Sequence, residues 1–132
     1  MKSKIFYSGP LSADFGLLIL RVVAGAPMIT HGWMKLQNVL AGKLEFGDPI
    51  GIGTEASLYL AIFAEFFCAI LLILGFLTRI ALVPLIITML VAFFIVHSPD
   101  PFNVKELAFI YLGLYTALFF TGPGKLSVDS KL

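Results

Sequence analysis

Six ionisable residues stand inside, or at the ends of, otherwise apolar runs: Arg21, His31, Lys35, Glu65, His97 and Glu106. An ionised side chain at the centre of a bilayer costs roughly 2.5–3.5 kcal/mol on insertion scales, so it is kept where it pairs, faces a bundle interior or reaches the headgroups. Glu65 is the sharpest case, because a glutamate in mid-span is too short to reach the interface. Histidine exchanges protons near neutral pH. His31 and His97, combined with the carboxylates of Glu65 and Glu106, form a set suited to binding or protonating a quinone head. Those four are the candidate catalytic residues. Arg21, Lys35, Tyr59 and Tyr111 are the candidate ligand-binding residues around them.

Other chemistries rank lower. A haem between His31 and His97 would use neutral imidazoles on two helices of a bundle, but two histidines at helix ends are a weak signal for it. His31, His97 and Glu106 have the donor types of a metal site, without a spacing that singles one out. No metal ligand is assigned. The single cysteine, Cys68, excludes an intrachain disulfide, a CxxC pair and a cysteine cage. Gly51-Ile52-Gly53 has neither the third glycine nor the lysine of a phosphate-binding loop. Simpler roles compete for each polar residue. Arg21 reaches headgroups by snorkelling, the histidines and lysines sit at the interface, and Trp33, Tyr7 and Tyr59 act as interface anchors.

The elements that must position these groups follow from composition. The chain has 132 residues, of which 59% are apolar types and 13% charged. Average soluble domains lie nearer ~45–50% and ~25%. The mean hydropathy is +0.99. A soluble chain this short cannot hide so much apolar surface. A net charge of +1 with no basic stripe argues against nucleic acid. Four apolar runs remain, each read as a membrane-spanning helix of ~17–25 residues. The expected architecture is all-α, an integral membrane antiparallel four-helix bundle. It forms one domain over residues 1–132, with helices at about 12–36, 56–78, 79–98 and 104–122. Continuous apolar runs, rather than alternating ones, exclude a barrel. Arg21 and Pro27 around Ala24-Gly25-Ala26 favour a retained first helix over a cleaved signal.

An even number of spans places both termini on one side. Lys2, Lys4, Arg79, Lys125 and Lys131 fall on that side, against Lys35, Lys43 and Lys105 on the other, which predicts cytoplasmic termini. At ~1.5 Å per residue, Arg21 lies low, Glu65 near the middle, and His31, Lys35, His97 and Glu106 at the far mouth. Arg21, Met28, His31 and Lys35 share one helical face within about 80°. The expected site is therefore a pocket opening away from the termini, covered by the long 36–55 loop, with Arg21 closing its floor and joined to Glu65 in one polar network.

The ordered set resembles the DoxX family of small prokaryotic four-helix membrane proteins. The likeness rests on Arg21, His31-Gly32 with Lys35, Glu65, Leu74-Gly75-Phe76-Leu77-Thr78-Arg79, Met89 with Ala92, and His97. It closes with Glu106 and Gly122-Pro123-Gly124-Lys125-Leu126-Ser127-Val128-Asp129, so it covers roughly residues 14–129. The family takes its name from a subunit of an archaeal thiosulfate:quinone oxidoreductase, and other members are linked to membrane oxidoreductase complexes and to quinone or thiol stress. The resemblance implies a multi-pass protein of the prokaryotic inner membrane and a quinone-linked subunit of an oxidoreductase complex. The alternative is a non-catalytic anchor or assembly protein for redox or stress-response partners. A transporter is disfavoured, because four helices show no inverted repeat. The expected partners are membrane lipids, soluble or membrane oxidoreductase subunits and further copies of the chain, with no nucleic acid.

Overall fold

The computed structural model describes residues 4–44 and 46–132, so Lys2 lies outside the described residues. Four helices are long and apolar enough to cross a membrane: α1 (Ala13–Leu40), α2 (Thr54–Leu74), α3 (Thr78–Val96) and α4 (Phe102–Thr121). No strand occurs among the described residues. The chain is a membrane four-helix bundle.

Ser12 opens α1 by accepting the Phe15 N–H through its hydroxyl, at 3.3 Å. The helix runs through Pro27 and on to Leu40, beyond the end expected at 36. Nothing between Leu36 and Leu40 breaks a helix, and the turn comes at Gly42, with φ +80°. α2 ends at Gly75, whose left-handed φ of 68° turns the chain sharply into α3. Leu77 is also left-handed, at φ 51°, an uncommon state for a side chain with a Cβ. The Asp129 carboxylate supports it by accepting the Leu77 N–H at 2.8 Å.

Around the bundle, α1 packs on α2 and α4, and α3 packs on the same two. The core combines small residues, Ala24, Ala69 and Ala81, with Leu72, Leu82, Leu85 and Leu118. Isoleucines, valines and phenylalanines cover the outside. Lipid offers no hydrophobic drive between helices, so close backbone approach and internal polar bonds hold such a bundle. Two approaches set the register of α1 on α2. A Cβ on Gly25 would meet Ile73, and a Cβ on Gly32 would stand 2.7 Å from the Glu65 backbone.

Candidate ligand cavity between the four helices

A cavity of about 410 Å³ lies in the half of the bundle away from the termini. All four helices line it, and so do Phe46, Pro49 and Ile50 of the loop joining α1 to α2. Asp48 shapes that loop. Its carboxylate accepts from the Ile52 and Gly53 N–H groups at 3.0 and 3.1 Å and from the Ser57 hydroxyl at 3.1 Å. The loop is thereby folded back on the start of α2.

His31, Lys35, Glu65, His97 and Tyr111 border the cavity. Lys35 Nζ donates to Glu65 Oε1 and Oε2 at 2.7 and 2.6 Å. The Glu65 side chain is 5% exposed and that of Lys35 is 29% exposed, so the lysine covers the carboxylate from the mouth. Glu65 sits in a widened π turn, Phe63–Cys68, and a second such turn, Ala92–Val96, reaches the cavity from α3. Such turns interrupt the regular ladder and occur often at functional sites. His97 Nδ1 lies 2.9 Å from Asp100 Oδ2, which orients the ring. Tyr111 stacks on Tyr115, with centroids 5.7 Å apart and planes at 20°. Tyr115 is anchored in turn by donating its hydroxyl to the Ala24 carbonyl at 2.8 Å.

Three expected site residues stand elsewhere. Arg21 is fully buried, but its guanidinium donates to the Ile73 carbonyl at 2.9 Å and to the Leu126 carbonyl. It belongs to a clasp between the C-terminal segment and the end of α2, and it does not join Glu65. Arg21 faces Ile73 while Gly32 faces Glu65. Those two levels are eleven residues apart on α1, about 16 Å. Ala24, Met28, Leu72 and Tyr115 fill the core between. Glu106 is exposed and away from the cavity. Val104, Leu107, Ala108 and Tyr111 turn inward from α4, which points Glu106 about 150° away. Tyr59, 49% exposed, also stands outside the cavity, about 150° round α2 from the lining residues Ser57, Leu60 and Ala61.

The clasp is polar and specific. Asp129 accepts from the Thr78 hydroxyl at 2.6 Å and the Thr78 N–H at 3.0 Å, and Asp14 accepts the Lys125 N–H at 2.9 Å. Partial burial alone would raise the Asp129 carboxyl. The hydrogen bonds from Thr78 and Leu77 and the Arg21 charge outweigh it and hold the group below its ordinary value. Sequence reasoning missed Asp48, Asp100 and Asp129. For Asp48 and Asp100 the signal was an acid in a Gly- or Pro-rich turn, bonding groups within nine residues of it. The partners of Asp129 lie 51 and 52 residues away, so no local signal marked it.

Among the described residues no group of three His, Cys, Asp or Glu side chains is placed to hold a metal ion. Fold and cavity define a class: a multi-pass four-helix membrane protein with an apolar chamber bounded by two histidines and an ion pair whose carboxylate is buried. The chain belongs to the DoxX family, whose profile matches residues 16–98. It is 34% identical over 124 residues to the inner membrane protein YqjF of Escherichia coli (strain K12), covering 90% of this chain and 93% of the relative. It is 32% identical over 120 residues to a Bacillus subtilis (strain 168) protein named "Putative oxidoreductase CatD", covering 89% and 87%. A Haemophilus influenzae relative is 32% identical over 126 residues, covering 87% of this chain and 89% of the relative. No solved structure matches. The chain is thus a prokaryotic membrane protein in contact with lipid.

Proposed function

We propose that the cavity binds a quinone head and that the chain is the quinone-linked membrane subunit of an oxidoreductase complex. The observation that carries this reading is one chamber of about 410 Å³ whose apolar walls converge on Lys35–Glu65, His31, His97 and Tyr111. A quinone needs this combination. Its ring is apolar, its two oxygens accept hydrogen bonds, and proton exchange at those oxygens calls for groups that titrate near neutrality. Lys35, the imidazoles and the Tyr111 hydroxyl supply donors, and Glu65 supplies an acceptor. The name of the Bacillus subtilis relative agrees with redox work. Cys68 is buried and is the chain's one thiol, so reducing equivalents come from a partner subunit.

The membrane is the cytoplasmic membrane, with both termini in the cytoplasm. Arg79, Lys125 and Lys131 support this orientation, and on the opposite side Lys35 is neutralised by Glu65. Reporter fusions at the C-terminus should be active on the cytoplasmic side. Periplasmic activity would reverse the topology.

The test of the ligand is extraction and mass spectrometry of lipids from purified protein, followed by titration of a benzoquinone into quinone-free protein. Co-purifying quinone and saturable binding are expected. A preparation that neither carries nor binds quinone overturns the reading and leaves a membrane anchor or assembly protein.

A further inference from the structure

The two halves of α2 have different neighbours. From its π turn to Leu74, α2 packs against both α1 and α3. Its first half, Thr54–Ile62, packs against α1 and the turn, with no comparable packing on α3 among the described residues. On α3, Thr78–Val91 closes on the lower part of α2, whereas Ala92–Val96 packs on α4. The two helices diverge past Glu65, at the level where the cavity begins.

The two seams that flank this one are closed there. Phe93, Phe102 and Phe109 pack across α3 and α4 with ring centroids 5.6–6.5 Å apart. Gly32 seals α1 onto α2. Leu60 of α2 and Ile87 of α3 line the cavity, yet they are 53% and 52% exposed. Exposed cavity-lining side chains on both helices, at the level where those two helices part, mark an opening in the wall between them.

We propose that the α2–α3 seam is a lateral window through which the cavity opens into the bilayer leaflet away from the termini, and that it holds the isoprenoid tail of a quinone. This rests on the quinone reading above. The cavity is of head-group size, within the usual ~300–1,000 Å³ of small-molecule sites. A polyprenyl tail exceeds the space left beside a head. Passing that tail through water, past Phe46 and Ile50, would expose every methylene to solvent. Passing it through the window leaves it in hydrocarbon throughout. The head then lies against Lys35–Glu65 and the tail crosses between Leu60 and Ile87 into lipid.

The double variant Leu60→Trp, Ile87→Trp narrows the window. Binding of a polyprenyl benzoquinone and of its tail-less analogue is measured on wild type and variant in lipid nanodiscs. The tailed ligand should bind about tenfold or more weakly to the variant, while the tail-less one keeps its affinity and so reports an intact cavity. Equal effects on both ligands, whether nil or large, overturn the window. Wild-type protein that binds neither ligand overturns the quinone reading itself and the window with it.

Discussion

Lys35 of α1 donates to both carboxylate oxygens of Glu65 on α2, one turn beyond the point where Gly32 meets the Glu65 backbone. The contact neutralises the one acid buried within the spans and fixes it on the cavity wall.

Breaking this pair should be asymmetric. Lys35→Ala strands a carboxylate that is 5% exposed, at a cost of about 3–5 kcal/mol by analogy with buried pairs in soluble proteins. Glu65→Ala should cost less, because the half-buried lysine can turn to the mouth. The double variant Lys35→Ala, Glu65→Ala should recover part of the loss, since no charge is left stranded. Thermal unfolding in detergent measures all four proteins, and a cycle with no coupling would refute the pair's contribution.

Arg21 and Glu65 should behave independently. Their levels on the bundle are about 16 Å apart, beyond the 7–10 Å within which mutations usually couple. The losses from Arg21→Ala and Glu65→Ala should add to within about 0.5 kcal/mol. A coupling larger than that would mean that the two form one network.

Two glycines should respond oppositely to alanine. At Gly32 the new methyl group meets backbone at 2.7 Å, so α1 must move off α2, costing about 1–3 kcal/mol as overpacking does. At Gly113 nothing lies within 4 Å, so Gly113→Ala should gain up to ~1 kcal/mol of helix propensity. Melting temperatures moving the same way in both variants would contradict the close approach.

The clasp should loosen in acid. Asp129 has its carboxyl held below the ordinary value in the folded protein. Its contribution is therefore fully present above the unfolded value of about 3.9 and is lost as pH falls through the folded value. Proteolysis of the C-terminal segment should accelerate below about pH 4 in wild type. In Asp129→Asn it should be fast, with no such acid dependence. A pH-independent wild type would remove Asp129 from the clasp.

Tyr111 should read one oxygen of the ligand. It is 7% exposed, borders the cavity, and its stack on Tyr115 holds the ring in place. Tyr111→Phe should weaken quinone binding by about 0.5–1.5 kcal/mol, the net contribution of one neutral hydrogen bond. Tyr59→Phe, outside the cavity, should leave it unchanged. Equal affinities in wild type and Tyr111→Phe would show that the hydroxyl does not touch ligand.

By itself the sequence determined the class of fold. A span must be long and apolar because hydrocarbon solvates no backbone polar group, so four such runs were legible as four helices with both ends on one side. It also marked the residues whose charge needed a partner, and it placed Arg21, Met28, His31 and Lys35 on one face of α1. Which partner each found was decided by tertiary structure alone. Hydropathy is blind to axial sliding, since lipid is as apolar at one level as at the next. The sliding of α1 along α2 was set instead by Gly25 and Gly32, where the backbones meet. That register put Lys35 on Glu65 and carried Arg21 down to Ile73 and Leu126. Helical phase likewise turned Glu106 and Tyr59 away from the cavity, because the residues beside them, Leu107 and Leu60, took the positions that line it.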